Sequence, residues 1–102
     1  MASFKNVKIT IEGNSYFDGK VTSRKIEFSD GTIKTLGVMQ IGEYEFGTDA
    51  PELMEITSGE AKINLDGNSW ITLKTGESFN VDGNSKFKIK ANTLVDYCCS
   101  YL

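Results

Sequence analysis

PELMEITSGEAKINL, residues 51–65, carries two alternating runs joined at a single glycine. From Glu52 onward, Glu52, Met54, Ile56 and Ser58 fall on one side of an extended chain, with Leu53, Glu55 and Thr57 on the other. Gly59 interrupts the run, and alternation resumes through EAKINL. A period of two is that of a β-strand, whose successive side chains point to opposite faces. A glutamate sharing a face with methionine and isoleucine is partly withdrawn from water. That raises its pKa unless something pairs with it.

Working outward, the same pattern repeats between glycine turns at Gly13-Asn14, Asp18-Gly19, Asp30-Gly31, Gly42, Gly47, Gly59, Asp66-Gly67, Gly76 and Asp82-Gly83. The intervening runs are KVTSRKIEF from Lys20, TIKTLGVMQI from Thr32, GEYEFGT from Gly42, MEITS from Met54 and EAKINLD from Glu60. SWITLK, SFNVD, KFKIKA and LVDYCCSYL follow from Ser69, Ser78, Lys86 and Leu94. No window has the i, i+3, i+4, i+7 pattern of a helix. The spacing predicts eight to ten short antiparallel strands, in a sandwich or a barrel. KINLDGNSWITLK is the clearest hairpin, and KFKIK sends Phe87 and Ile89 inward and its lysines to solvent. Residues 1–12, with VKITIE, read as an N-terminal extension or edge strand, and residues 13–102 as the one β-domain.

A chain of 102 residues allows a single modest core. Its net charge of −3 lacks the basic field that a nucleic-acid surface requires. No stretch approaches the roughly 20 apolar residues that span a bilayer, and MASFKNVKITIEGN has no signal-peptide core. The expectation is therefore a cytoplasmic protein without a nucleic-acid or membrane partner. The two cysteines, Cys98 and Cys99, are neighbours; they read as reduced thiols on opposite faces of a strand rather than as a staple.

The chain contains no histidine. A Ser-His-Asp or Cys-His arrangement is therefore impossible. Walker and Rossmann phosphate loops are missing too, since both need a helix after the glycine turn. What remains near the turns is a set of carboxylates, amides, hydroxyls and cations: Glu43, Tyr44, Thr48, Glu52, Asn80, Asn84, Ser85, Lys20, Arg24 and Lys34.

The glutamate, six residues and glycine of 52–59 resemble the second half of the first cupin motif, in which two histidines precede the glutamate and bind metal. Here those positions fall within Glu45–Thr48, and the histidine position of the second motif falls near Phe87. With three of four ligand positions apolar or hydroxyl, a transition-metal site is not expected. A pair such as Glu43 and Glu52 offers at most a weak site for a hard cation.

Longer segments resemble one family in particular. NSYFDGKVTSRKIEFSDGTIKTLGVM, GEYEFGTDAPELMEITSGE, GESFNVDGNSKFKIK and DYCCSYL, in this order, resemble the pyrimidine/purine nucleoside phosphorylases, small single-domain cupin-like proteins. The resemblance runs from Asn14 to Leu102. One departure is Asp82, where the family usually has proline, which is expected to loosen the turn into Gly83.

The resemblance implies an all-β, cupin-like antiparallel barrel of the RmlC jelly-roll type. It implies phosphate-dependent cleavage of purine and pyrimidine nucleosides to the free base and ribose 1-phosphate. Inorganic phosphate would be the co-substrate, with no cofactor and no obligatory metal. On chemical grounds Glu52, then Glu43, is the carboxylate for an oxocarbenium-like transition state. Lys20, Arg24 and Lys34 are candidate phosphate clamps, and Tyr44, Phe46 and Phe87 candidate stacking surfaces for a base. Thr48, Asn80, Asn84 and Ser85 complete the candidate substrate contacts. A homodimer is expected, since pairing an edge strand would cover an exposed ladder. The rival reading is a non-catalytic, metal-free cupin that binds a small molecule or serves as a structural module.

Overall fold

The computed structural model describes residues 2–102, and no helix occurs among them. Eleven strands follow one another: β1 (Lys8–Ile9), β2 (Asn14–Tyr16), β3 (Val21–Glu27), β4 (Ile33–Met39), β5 (Gly42–Gly47), β6 (Glu52–Ser58), β7 (Glu60–Asn64), β8 (Ile71–Lys74), β9 (Ser78–Val81), β10 (Lys86–Ala91) and β11 (Val95–Tyr101). Each alternating run becomes a strand; most lose turn residues at their ends, KFKIKA is kept whole, and the run at Met54 extends back to Glu52. The strand that the pattern does not reveal is β2, because three residues between two turn signals are too few to display a period.

The strands form two antiparallel sheets. The larger has the order β1-β3-β4-β11-β6-β9, with β2 also on the free edge of β3; the smaller has the order β5-β10-β7-β8. The fold is a jelly roll, but the expected barrel is not a closed cylinder of hydrogen bonds. From β4 to β7 and from β8 to β11 the chain changes sheet at each connection. The sheets are therefore joined through side chains packed between their inner faces.

Alternation fills that interior. β10 reads exposed–buried throughout, with Phe87, Ile89 and Ala91 inward. Val21, Met39, Ile56, Ile63 and Val95 are its largest fully buried companions. Burying one such side chain contributes about 1.5–3 kcal/mol. β11, the central strand of the large sheet, buries both faces. That is why Cys98 and Cys99, although pointing in opposite directions, are both covered.

Candidate active site

Glu52 opens β6 on the inner face, in the row that runs Tyr101–Glu52–Val81 across β11, β6 and β9. The next inner row is Thr35–Cys99–Met54–Phe79. An irregularity between Asp96 and Tyr97 resets the register of β11 on β6, and beyond it Tyr97, Cys99 and Tyr101 stand opposite Ile56, Met54 and Glu52. A bulge beside a site is a usual way of re-aiming side chains.

These rows border an open cavity of about 480 Å³. Its polar wall consists of Glu52, Cys99, Tyr97, Tyr101, Thr35 and Ser23 from the large sheet. Its aromatic wall consists of Tyr16, Phe17, Phe46 and Phe87. Phe46 stacks on Phe87 with centroids 5.8 Å apart, and Phe17 meets Phe46 edge-on at 5.6 Å. Phe17 lies in the tight turn after β2 with φ of 53°, followed by Asp18 at 56°, and Gly19 N–H donates to the Tyr16 carbonyl at 3.1 Å. A phenylalanine in the left-handed region is uncommon, and strain of this kind gathers at functional sites.

Gly37 is required for a different reason. A Cβ there would collide with the Tyr97 ring and lie 2.6 Å from the Thr22 carbonyl. Only glycine lets the Tyr97 ring lie across β4 at this point.

The electrostatics follow from burial. Desolvation holds the Glu52 carboxyl above the ordinary range, a hydrogen bond from Cys99 pulls it part of the way back, and the nearby charge of Asp49 raises it again. Cys99 Sγ donates to Glu52 Oε1 at 3.3 Å. Burial first, and then the charge of Glu52, push the Cys99 thiol up to about 12. Tyr101 is also raised to about 12, mainly by burial, and its hydroxyl lies 3.5 Å from Thr35 Oγ1. Burial likewise raises Tyr97. At neutral pH the wall therefore presents one partly desolvated carboxyl and a row of protonated thiol and hydroxyl donors.

Of the residues singled out from the sequence, Glu52, Phe46 and Phe87 line this cavity. Tyr44 is buried and does not line it; its ring packs on Phe17 at 5.0 Å, and its hydroxyl donates to the Gln40 carbonyl at 2.7 Å. Glu43 is exposed and alternates with Tyr44, so it stands on the outer face of β5, away from Glu52. Asn80 is exposed and pairs with Leu53 on the outer side.

Thr48, Asn84 and Ser85 form a braced turn. Thr48 Oγ1 donates to the Asp82 carbonyl at 2.6 Å and accepts from Ser85 N–H at 3.1 Å, while Asn84 N–H donates to the Asp49 carbonyl at 3.1 Å. The expected loosening at Asp82 is offset by this pin. Arg24 is exposed and belongs to a separate groove with Leu36, Gly37 and Asp96. The Lys34 ammonium sits 5.6 Å from the Phe4 ring and 5.7 Å from the Phe28 ring. Lys20 closes the turn that carries Tyr16 and Phe17, its N–H donating to the Phe17 carbonyl at 3.2 Å. Among the described residues, no lysine or arginine lines the cavity itself.

The polar and aromatic wall residues that sequence reasoning passed over are Tyr16, Phe17, Ser23, Thr35, Glu45, Tyr97, Cys99 and Tyr101. A signal for three of them was present. Tyr97, Cys99 and Tyr101 stand at i, i+2 and i+4 and so share one face of a strand.

A model of the family described as pyrimidine/purine nucleoside phosphorylase matches residues 11–101. The chain belongs to the pyrimidine/purine nucleoside phosphorylase family. A relative of that name from Sulfurovum sp. (strain NBC37-1) is 60% identical over the whole of both chains. A crystal structure of a protein of unknown function from Acinetobacter sp. ADP1 superposes with a TM-score of 0.95 at 39% identity, covering 98% of each chain. An RmlC-like cupin from Shewanella frigidimarina, 19% identical, superposes with a TM-score of 0.72 over 97% of this chain and 86% of its own, which shows the cupin fold. Among the described residues no helix is long and apolar enough to cross a membrane.

Proposed function

We propose that this member of the family cleaves purine and pyrimidine nucleosides with inorganic phosphate, reversibly and without a metal, releasing the free base and α-D-ribose 1-phosphate. The observation that carries the reading is Glu52, a half-buried carboxylate on the polar wall of a cavity whose opposite wall is aromatic. In phosphorolysis the N-glycosidic bond breaks with its electron pair leaving on the base, and a phosphate oxygen forms the new bond to the anomeric carbon. The sugar is oxocarbenium-like in between. A carboxylate in a partly dry site stabilises that positive charge more than one in water does.

The hydroxyls of Ser23, Thr35, Tyr97 and Tyr101 match a ribose, and Phe17, Phe46 and Phe87 supply π-faces that every base can use. That would account for tolerance of both base classes. Among the three candidate cations Lys20 is the choice for phosphate, because it belongs to the same turn as Tyr16 and Phe17. One observation favours the rival, a non-catalytic binding module: among the described residues, none that lines the cavity is a cation.

The deciding experiment incubates purified, chelator-treated protein with uridine and with adenosine, with and without phosphate, and measures free base. Base appearing only with phosphate is expected, with a raised phosphate KM in Lys20→Ala. No base from either nucleoside at high enzyme concentration would establish the binding module instead. Equal release without phosphate would mean hydrolysis and would remove any role for Lys20.

A further inference from the structure

Resting on the phosphorylase reading of the same cavity, we propose that Cys99 is the positioning residue of Glu52. Its thiol donates to Oε1 and fixes the carboxylate, leaving the second oxygen to face the ligand.

The geometry is built into the ladder. Tyr101 pairs with Glu52 and Cys99 with Met54, so Cys99 and Glu52 are diagonal neighbours on one face. The sulfur lies 3.3 Å from Oε1, well within hydrogen-bonding reach for a thiol donor. The thiol is 3% exposed, and burial together with the carboxylate's charge keeps it protonated. It is therefore a donor across the working pH range and not a nucleophile, which would have to be the thiolate.

The groups facing Glu52 make that donor matter. Asp49 precedes it on the chain, Cys99 and Tyr101 approach from β11, and Glu45, Tyr16 and Tyr97 line the same cavity. None is positive. The thiol thus favours the charged carboxylate in a setting that otherwise opposes it. Cys98, one residue earlier, provides the internal contrast: it points to the other face, near Lys34 and Glu55.

The test follows the Glu52 side-chain carboxyl by carbon NMR through a pH titration in the wild type, Cys99→Ala, Cys99→Ser and Cys98→Ala, alongside pH–rate profiles. In Cys99→Ala the carboxyl is expected to titrate at higher pH, with turnover about tenfold lower at pH 5 than the wild-type ratio to pH 8 predicts, the size of one lost charge-assisted bond. Cys99→Ser restores a donor and should return both readouts towards wild type, and Cys98→Ala should move neither. If Cys99→Ala does not fold, Cys99→Val removes the donor while keeping the position filled by an apolar group. An unchanged Glu52 titration in the donor-free variant overturns the proposal. Because the titration needs no turnover, it decides the role of Cys99 even if the wild type splits no nucleoside, an outcome that would fail only the phosphorylase reading.

Discussion

The interior of this jelly roll has two ends built on the same strands by the same alternation. At one end Val21, Ile56, Ala61, Ile63, Ile89, Ala91 and Val95 close on one another, each at most 2% exposed. At the other, the inner positions of β3, β4, β6 and β11 are occupied by Ser23, Thr35, Glu52, Cys99 and Tyr101, which surround the open cavity. An inward-facing position is therefore not necessarily a core position. Apolar side chains at such positions gain by excluding water. Polar ones must find partners, and here they find them along the wall, Cys99 with Glu52 and Thr35 with Tyr101.

Altering one residue at each end should separate chemistry from stability. Glu52→Gln keeps the shape of the polar end and removes its charge, so turnover is expected to fall by about 10²–10³-fold, a typical cost of losing one transition-state electrostatic contact. Steady-state kinetics beside a thermal melt would show a folded but slow protein. An unchanged kcat would remove Glu52 from the chemistry.

Ile89→Ala, at 0% exposure in the closed end, should do the reverse. A loss of about 2–5 kcal/mol in denaturant unfolding is expected for such a truncation, with kcat of the folded enzyme little changed. A stability loss under 1 kcal/mol would mean that the closed end is not where the fold is held.

The smallest effect sharpens the contrast through pH. Because the Glu52 carboxyl is held above its ordinary value by burial, there is a window in which the folded chain keeps a proton that the unfolded chain has released. Stability contributed by this group is therefore present at acid pH and is lost as pH rises through the raised value. Glu52→Gln should thus be at least as stable as wild type at pH 7, with the difference shrinking as pH falls towards the ordinary carboxylate range. Melting curves at several pH values would check this. A variant less stable than wild type at neutral pH would show that the carboxylate supports the fold instead of straining it.

Much of this was legible in the residues. Nine alternating runs became strands, the inward face of KFKIK was correctly read, and Glu52 was singled out as a carboxylate on an apolar face. The partners of Glu52 were not legible, because Cys99 lies 47 residues away and meets it only through the pairing of β11 with β6. Glu43 shows the complementary limit. As a residue type it matches Glu52, yet one step of register turns it to the outer face of β5.

The strands and their faces are local properties of the chain, written in its period-two alternation and turn glycines. Which inward positions would meet, and whether they would enclose a core or border a cavity, was decided only by the tertiary structure. Strand order, the irregularity in β11 and the stacking of the two sheets bring together residues from distant parts of the chain, and no local pattern encodes those distances.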